Sequence, residues 1–222
     1  MITKINPVDI VIIRFNTPDL DIRCVGSIIG FTKYSPYNII LHDNSVVNQK
    51  LSYLWNMYFE KSDSEFICLL NNDTRILFDK GDWLNKMMET MLSDDSIGAV
   101  GPSTNNCGNP QKMKGEWLTL PDTKEEVDME KIYGKQWQLS GFCLLIRKEA
   151  WKVVNGFSYK YAHYGQENEF LHQIQKAGYK TMWRKDAFVW HIGKASSSKV
   201  KGFDDKRQRE QANELYQLSL KK

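Results

Sequence analysis

The chain has 222 residues, 41% of them apolar and 12% aromatic, which is enough to bury a full core and fits one domain better than two. Its 30 basic and 27 acidic side chains leave a net charge of +3, too balanced to bind nucleic acid by electrostatics alone. No run reaches membrane-spanning length, the first residues lack the apolar stretch of a signal peptide, and the four cysteines include no CxxC pair, so a soluble cytoplasmic protein with free thiols and no membrane partner is expected.

Residues 8–15 are a nearly continuous β-branched run, the pattern of a central strand covered on both faces. Thr17-Pro18-Asp19 supplies a capping hydroxyl, a proline at the first helical position and an early acid, so a helix follows to about Phe31. Residues 37–42 read as a second strand. Leu51, Leu54, Trp55, Tyr58 and Phe59 share one helical face at the i, i+3, i+4, i+7, i+8 spacing.

A third strand over residues 65–70 ends at Asn71-Asn72-Asp73. Asp82 is placed to cap a helix that presents Trp83, Leu84, Met87, Met88, Met91 and Leu92 to the core. Residues 97–100 form a short strand, and 101–133 turn polar, as expected of a surface loop that carries specificity. An apolar strand resumes over 139–146, followed by helices over 148–154 and 167–177, each ended by a glycine. Short strands are expected at 181–183 and 188–190, and a polar helix at 204–220 in a basic, solvated tail. This alternation implies an α/β class: a Rossmann-like, mostly parallel sheet flanked by helices.

Asn71-Asn72-Asp73 sets hard oxygen donors at the end of a buried strand, where ligands bind in open α/β sheets, and suits a divalent ion with a diphosphate. Asp43 ends the second strand at the same edge, where a carboxylate can accept hydrogen bonds from a base or ribose. Small residues at Ser140-Gly141 allow close approach to the backbone, and Glu167 and Glu169 open a helix whose dipole favours negative charge. Trp117, Trp137, Tyr164 and Trp183 are candidate platforms for the apolar face of a sugar.

The ordered series Phe15-Asn16, His42-Asp43-Asn44-Ser45, Asn71-Asn72-Asp73, Ser140-Gly141-Phe142, Gly165-Gln166-Glu167-Asn168-Glu169 and Trp190-His191 resembles the nucleotide-sugar glycosyltransferases of GT-A fold, family 2 and its relatives nearest. The resemblance covers about residues 8–193. It implies a single GT-A domain over 1–222, with a nucleotide-binding half (7–102), an acceptor and metal half (103–193) and a C-terminal tail and helix (194–222). It further implies transfer of a hexose from a nucleotide diphosphate sugar, UDP by default, to a hydroxyl on a glycan, a protein or a modified nucleobase.

In that scheme Phe15, Asn16, Asp43, Asn71, Asn72, Asp73 and Gly141 bind the donor, and Trp117, Tyr164 and Asn168 the acceptor. Asp73 and His191 hold Mn²⁺ or Mg²⁺, with Mn²⁺ favoured by the imidazole. Glu167 is the catalytic base and Glu169 the second choice. Asn71 stands where the family's first metal-motif acid is usual. A nucleotidyltransferase is discounted because Phe15-Asn16-Thr17-Pro18 lacks a glycine-rich, basic phosphate loop. The alternative is a non-catalytic carbohydrate- or nucleotide-binding module derived from a transferase, with Asn71 and Asn168 as lost carboxylates.

Overall fold

The protein, a computed structural model, is described over residues 6–113, 120–162, 164–193, 195 and 204–221. In chain order the elements are β1 (Val8–Arg14), α1 (Pro18–Phe31), β2 (Tyr37–Asp43), α2 (Leu51–Lys61), β3 (Phe66–Asn71), β4 (Thr74–Arg75) and a 3₁₀ turn (Phe78–Lys80). There follow α3 (Trp83–Ser93), β5 (Ile97–Ser103), β6 (Glu126–Asp128), α4 (Met129–Tyr133), β7 (Cys143–Arg147) and α5 (Lys148–Val153). Last come α6 (Gln166–Lys176), β8 (Lys180–Phe188), β9 (Trp190–His191) and α7 (Asp205–Ser219). Seven strands form one sheet in the order β2-β1-β3-β7-β5-β8-β6, and β4 pairs with β9 in a separate ladder. β7 is antiparallel to both its neighbours and β6 to β8, so five of the seven strands share one direction.

The period-2 alternation of side chains sorts the central strands onto two cores. Val8, Ile10 and Ile12 of β1, Phe66, Cys68 and Leu70 of β3, and Cys143 and Leu145 of β7 face Cys24 and Ile28 of α1 and the Trp83, Leu84, Met87, Met88 and Met91 stripe of α3. Val11, Ile67, Leu69, Leu144 and Ile146 face the other way, onto Trp55 and Phe59 of α2, Ala150 and Trp151 of α5, and Phe170, Leu171 and Ile174 of α6. The result is a three-layer α/β/α sandwich. Among the described residues no helix is long and apolar enough to cross a membrane.

This topology brings distant segments to one edge. β1, β3 and β8 end where the antiparallel β7 begins, since Leu70 pairs with Cys143 and the Asn71 N–H donates to the Phe142 carbonyl at 2.9 Å. Asn71-Asn72-Asp73, Ser140-Gly141-Phe142 and the chain leaving β8 therefore converge. The helix dipoles that precede and follow parallel strands point their positive ends at the same edge.

Several expectations are corrected. The strand expected at 139–146 starts at Cys143, because the Ser140 N–H is diverted to Gln111 Oε1 at 2.7 Å. The short strand expected at 181–183 extends as β8 through Arg184-Lys185-Asp186 to Phe188, and of the one expected at 188–190 Trp190 begins β9. The charges are tolerated there because Arg184 is 2% exposed and bonded to Asp186 at 2.5 Å, with Glu89 and Glu126 close by. The polar stretch 101–133 contains β6 and α4. Thr17 and Asp82 make no side-chain cap: Thr17 Oγ1 accepts from Asn72 instead, and Asp82 pairs with Lys86. Leu92 lies outside the apolar stripe of α3, 50% exposed.

Met87 is fully buried. Met87→Ala should therefore lower the unfolding free energy by about 2–5 kcal/mol, whereas Leu92→Ala should stay within about 0.5 kcal/mol. Urea unfolding of the two variants checks the contrast.

Candidate active site

The convergent edge opens into a cleft of about 710 Å³. Its walls include Phe15, Asn71, Asn72 and Asp73 from one side and Gly141, Tyr164, Glu167, His191 and Arg209 from the other.

Asp73 and His191 meet because β4 and β9 pair, with Thr74 opposite His191. The buried Asp73 carboxylate takes the Gly193 N–H on Oδ2 at 3.0 Å and faces His191 Nε2 through Oδ1 at 3.3 Å. His191 Nδ1 lies 2.8 Å from the Asn106 carbonyl, which can only accept, so Nδ1 carries a proton and Nε2 turns its remaining lone pair or a second proton toward Asp73. Burial disfavours the imidazolium, but the Asp73 hydrogen bond and charge, with the Asn106 carbonyl, outweigh it and raise the histidine's pKa. Phe142 stacks on the ring, centroids 5.1 Å apart and planes 18° from parallel. With Nδ1 donating to a backbone carbonyl, Nε2 is the ring nitrogen left to bind a metal when the ring is neutral, and a backbone carbonyl on the other nitrogen is the usual outer partner of a metal-bound histidine.

Among the described residues no cluster of three or more His, Cys, Asp or Glu side chains forms a metal site. The Asp73 and His191 pair fits a divalent ion whose other ligands are water and phosphate oxygens, which is the habit of Mg²⁺ and suits Mn²⁺ with its tolerance of imidazole.

Glu167, in the first turn of α6, is partly buried beside Gly141: a Cβ on Gly141 would lie 3.1 Å from Glu167 Cγ and 3.3 Å from Oε1. Gly141 thus makes room for the carboxyl group. Desolvation raises the Glu167 pKa, against opposing backbone N–H groups at the helix start and the charge of Arg209. Gly165 ahead of it has φ +90°, and a Cβ there would sit 2.8 Å from the Tyr161 ring, so only glycine opens this helix without strain.

Arg209 arrives from α7. Its guanidinium lies over the Tyr164 ring at 4.3 Å and pairs with Asp205 at 3.0 Å, while the Tyr164 hydroxyl donates to Asp205 at 2.8 Å. In sequence, Asp205 and Arg209 read as an ordinary i, i+4 pair on a solvated helix; only the return of α7 across α6 reveals the cleft contact.

The other sequence candidates fall as follows. Asn71 lines the cleft. The buried Asn72 does so too, but its amide donates to Thr17 Oγ1 at 2.6 Å and Asp21 Oδ1 at 2.8 Å, anchoring α1 to the end of β3. Asn16 is exposed with φ +51°, its N–H donating to Ser45 Oγ. Asp43 sits beside the cleft wall residue Asn44 rather than in the lining. Hydrogen bonds from Ser45 and then from Arg14 hold its pKa down at about 2.

Glu169 points away from the cleft, paired with Lys160 at 2.6 Å, because residues two apart on a helix do not share a face. Asn168 and Trp137 are not in the lining, and Trp183 is buried with its indole donating to Ser103 at 3.0 Å. Trp117 lies outside the described residues. Sequence reading missed Arg209, Asn105 and Asn106; for the asparagines the one signal was the polar turn after β5.

The chain has the GT-A glycosyltransferase fold. It superposes on a mannosyltransferase from Pyrobaculum calidifontis solved with GDP-Man and Mn²⁺ (TM-score 0.65, 14% identity, covering 96% of this chain and 64% of that one). TarS of S. aureus, residues 1–349, matches with TM-score 0.67 at 11% identity over 96% of this chain and 65% of that one. The catalytic domain of Drosophila β1,4-galactosyltransferase 7 with xylobiose matches with TM-score 0.60 at 16% identity over 94% of this chain and 79% of that one. The chain thus spans slightly less than two thirds of the first two. No protein-family model and no curated protein sequence matches it.

Gly193 has φ +82°, and a Cβ there would come within 2.5 Å of Asn106 Nδ2. Gly193→Ala should cost about 1–3 kcal/mol for a non-glycine left-handed residue. Chemical denaturation against wild type checks it.

Proposed function

We propose that the protein is a divalent-cation-dependent hexosyltransferase that moves a hexose from a nucleotide diphosphate sugar, a UDP-sugar in the first instance, to an acceptor hydroxyl. The acceptor is a glycan, a protein side chain or a modified nucleobase. The observation that carries this reading is the meeting of Asp73 and His191 across the β4–β9 ladder, in the same cleft as Glu167. The GT-A fold supports it, as do neighbours solved with GDP-Man and Mn²⁺, and with manganese, UDP-Gal and xylobiose. The free, largely buried thiols Cys24, Cys68, Cys107 and Cys143 favour a reducing, cytoplasmic setting.

Asp73 and His191 would hold the cation. When bound, it supplies positive charge to the diphosphate as the glycosidic bond breaks. Arg209 adds a second positive group to the cleft wall, fixed in orientation by Tyr164 and Asp205. Phe15 and Asn71 line the nucleotide side of the cleft, with Asp43 flanking it, and Tyr164 offers an aromatic face on the acceptor side.

Glu167 acts as base. The acceptor oxygen attacks the anomeric carbon, its proton passes to the Glu167 carboxylate, and the electron pair of the breaking bond leaves with the diphosphate. Desolvation raises the pKa of Glu167, which makes the carboxylate a stronger proton acceptor than an exposed glutamate. A group with a raised pKa must be deprotonated to serve as base, so activity falls as pH drops through that raised value.

Nucleotide release from a panel of nucleotide sugars, with Mn²⁺ and simple acceptors, tests the reading. Glu167→Gln should lower turnover by about 10²–10⁴-fold, leave donor affinity intact and abolish the acid limb of the pH profile. Release that is unchanged in the variant would remove Glu167 from the mechanism. Donor binding with no release by wild type would favour the non-catalytic module. For Arg209→Ala we expect affinity for a nucleoside diphosphate to fall about 10- to 100-fold, the worth of a charge-assisted hydrogen bond or two, with nucleoside affinity unchanged. Calorimetry with UDP and uridine reads both.

A further inference from the structure

β9 is only two residues long and pairs on one side, with β4. The Ile192 N–H donates to the Asp73 carbonyl at 2.9 Å, so the ladder bonds flank His191 and do not use it. The N–H and C=O of His191 therefore face away from β4 and need partners elsewhere. One side chain supplies both. Asn105 Oδ1 accepts from the His191 N–H at 2.8 Å, and Asn105 Nδ2 donates to the His191 carbonyl at 3.0 Å. A backbone N–H only donates and a carbonyl only accepts, so the two bonds fix one orientation of the amide. The next residue extends the clamp: the Asn106 carbonyl faces His191 Nδ1 at 2.8 Å and Asn106 Nδ2 donates to the Ile192 carbonyl at 2.6 Å.

We infer that Asn105 is a positioning residue for the cation site, acting through the main chain of His191 to keep Nε2 aimed at Asp73 Oδ1. The inference rests on the reading of Asp73 and His191 as ligands. Asn105 itself is not part of the cleft lining, and both ends of its amide are committed to the His191 main chain. Its side chain completes the outer side of a strand too short to hold itself, joining the start of the 104–133 segment to the ligand. Without it, the His191 N–H and carbonyl lose their partners, the outer side of β9 keeps only the Asn106 contacts, and the imidazole is held less firmly toward Asp73. Outer partners of ligands typically alter metal affinity by about 10- to 100-fold when removed.

The experiment is Mn²⁺ binding followed by the electron paramagnetic resonance signal of the free ion, with UDP present. The proteins are wild type, Asn105→Ala, His191→Ala and the double variant, with folding checked by circular dichroism and melting. Asn105→Ser, which can span only one of the two bonds, replaces the alanine variant if that fails to fold. We expect Asn105→Ala to weaken Mn²⁺ binding about 10- to 100-fold and to have no further effect once His191 is gone. Wild-type affinity in Asn105→Ala, or losses that add in the double variant, would overturn the inference, because Asn105 would then not act through His191. Failure of wild type itself to bind Mn²⁺ would overturn the ligand reading beneath it, and this inference with it.

Discussion

The pairing of Thr74–Arg75 with Trp190–His191 is the constraint on which the rest of the site depends. Two residues on each strand bring together segments more than a hundred positions apart, and their register decides that Asp73 and not Asn71 faces the imidazole. A slip of one residue would turn His191 to the opposite face and leave Asp73 buried without it. So short a ladder is weak by itself. It is held by the carboxylate's bond from Gly193, by Phe142 against the ring and by the two asparagines after β5.

A second network fixes the opposite wall. Asn72 ties the end of β3 to Asp21 of α1, Asp21 accepts from Arg14 at 3.0 Å, and Arg14 reaches Asp43 at 2.5 Å. The ends of β1, β2 and β3 are thereby locked to the first turn of α1. Asn72 and Asp21 are buried, so this polar chain acts in a medium where satisfied groups are rigid and orphaned ones costly. The middle residue of Asn71-Asn72-Asp73 thus lines the cleft like its neighbours but commits its amide to the scaffold.

The central strands could be read from the chain because they are buried on both faces: apolar residues fill the middles of β1, β3 and β7, apart from Asp9, whose carboxylate accepts from Asn38 and Ser62, and the α2 stripe follows helical spacing. Asp73 could be singled out because it follows a buried strand at the carboxyl edge, whereas the roles expected of His191 and Glu167 came from the resemblance of the ordered motifs. β8 was cut short by Arg184 and Asp186, whose burial makes sense only with α3 and β6 beside them. Arg209 and Asn105 were hidden for a related reason. Each has its meaning through a partner far away in sequence, 86 positions in the case of Asn105 and His191, and local pattern carries no trace of such a contact. Glu169 shows the converse: two residues from a candidate base in sequence, yet turned by helical geometry toward Lys160.

The proposed role of Asp73 and His191 is to hold jointly a cation that helps bind a diphosphate. Calorimetric titration of UDP into the wild-type protein, with and without Mn²⁺, tests it most directly. Mn²⁺ should tighten UDP binding by at least about fivefold, a coupling of the size usual between linked sites, and Asp73→Asn should erase the difference. Equal UDP affinity with and without Mn²⁺ in the folded wild-type protein would contradict it.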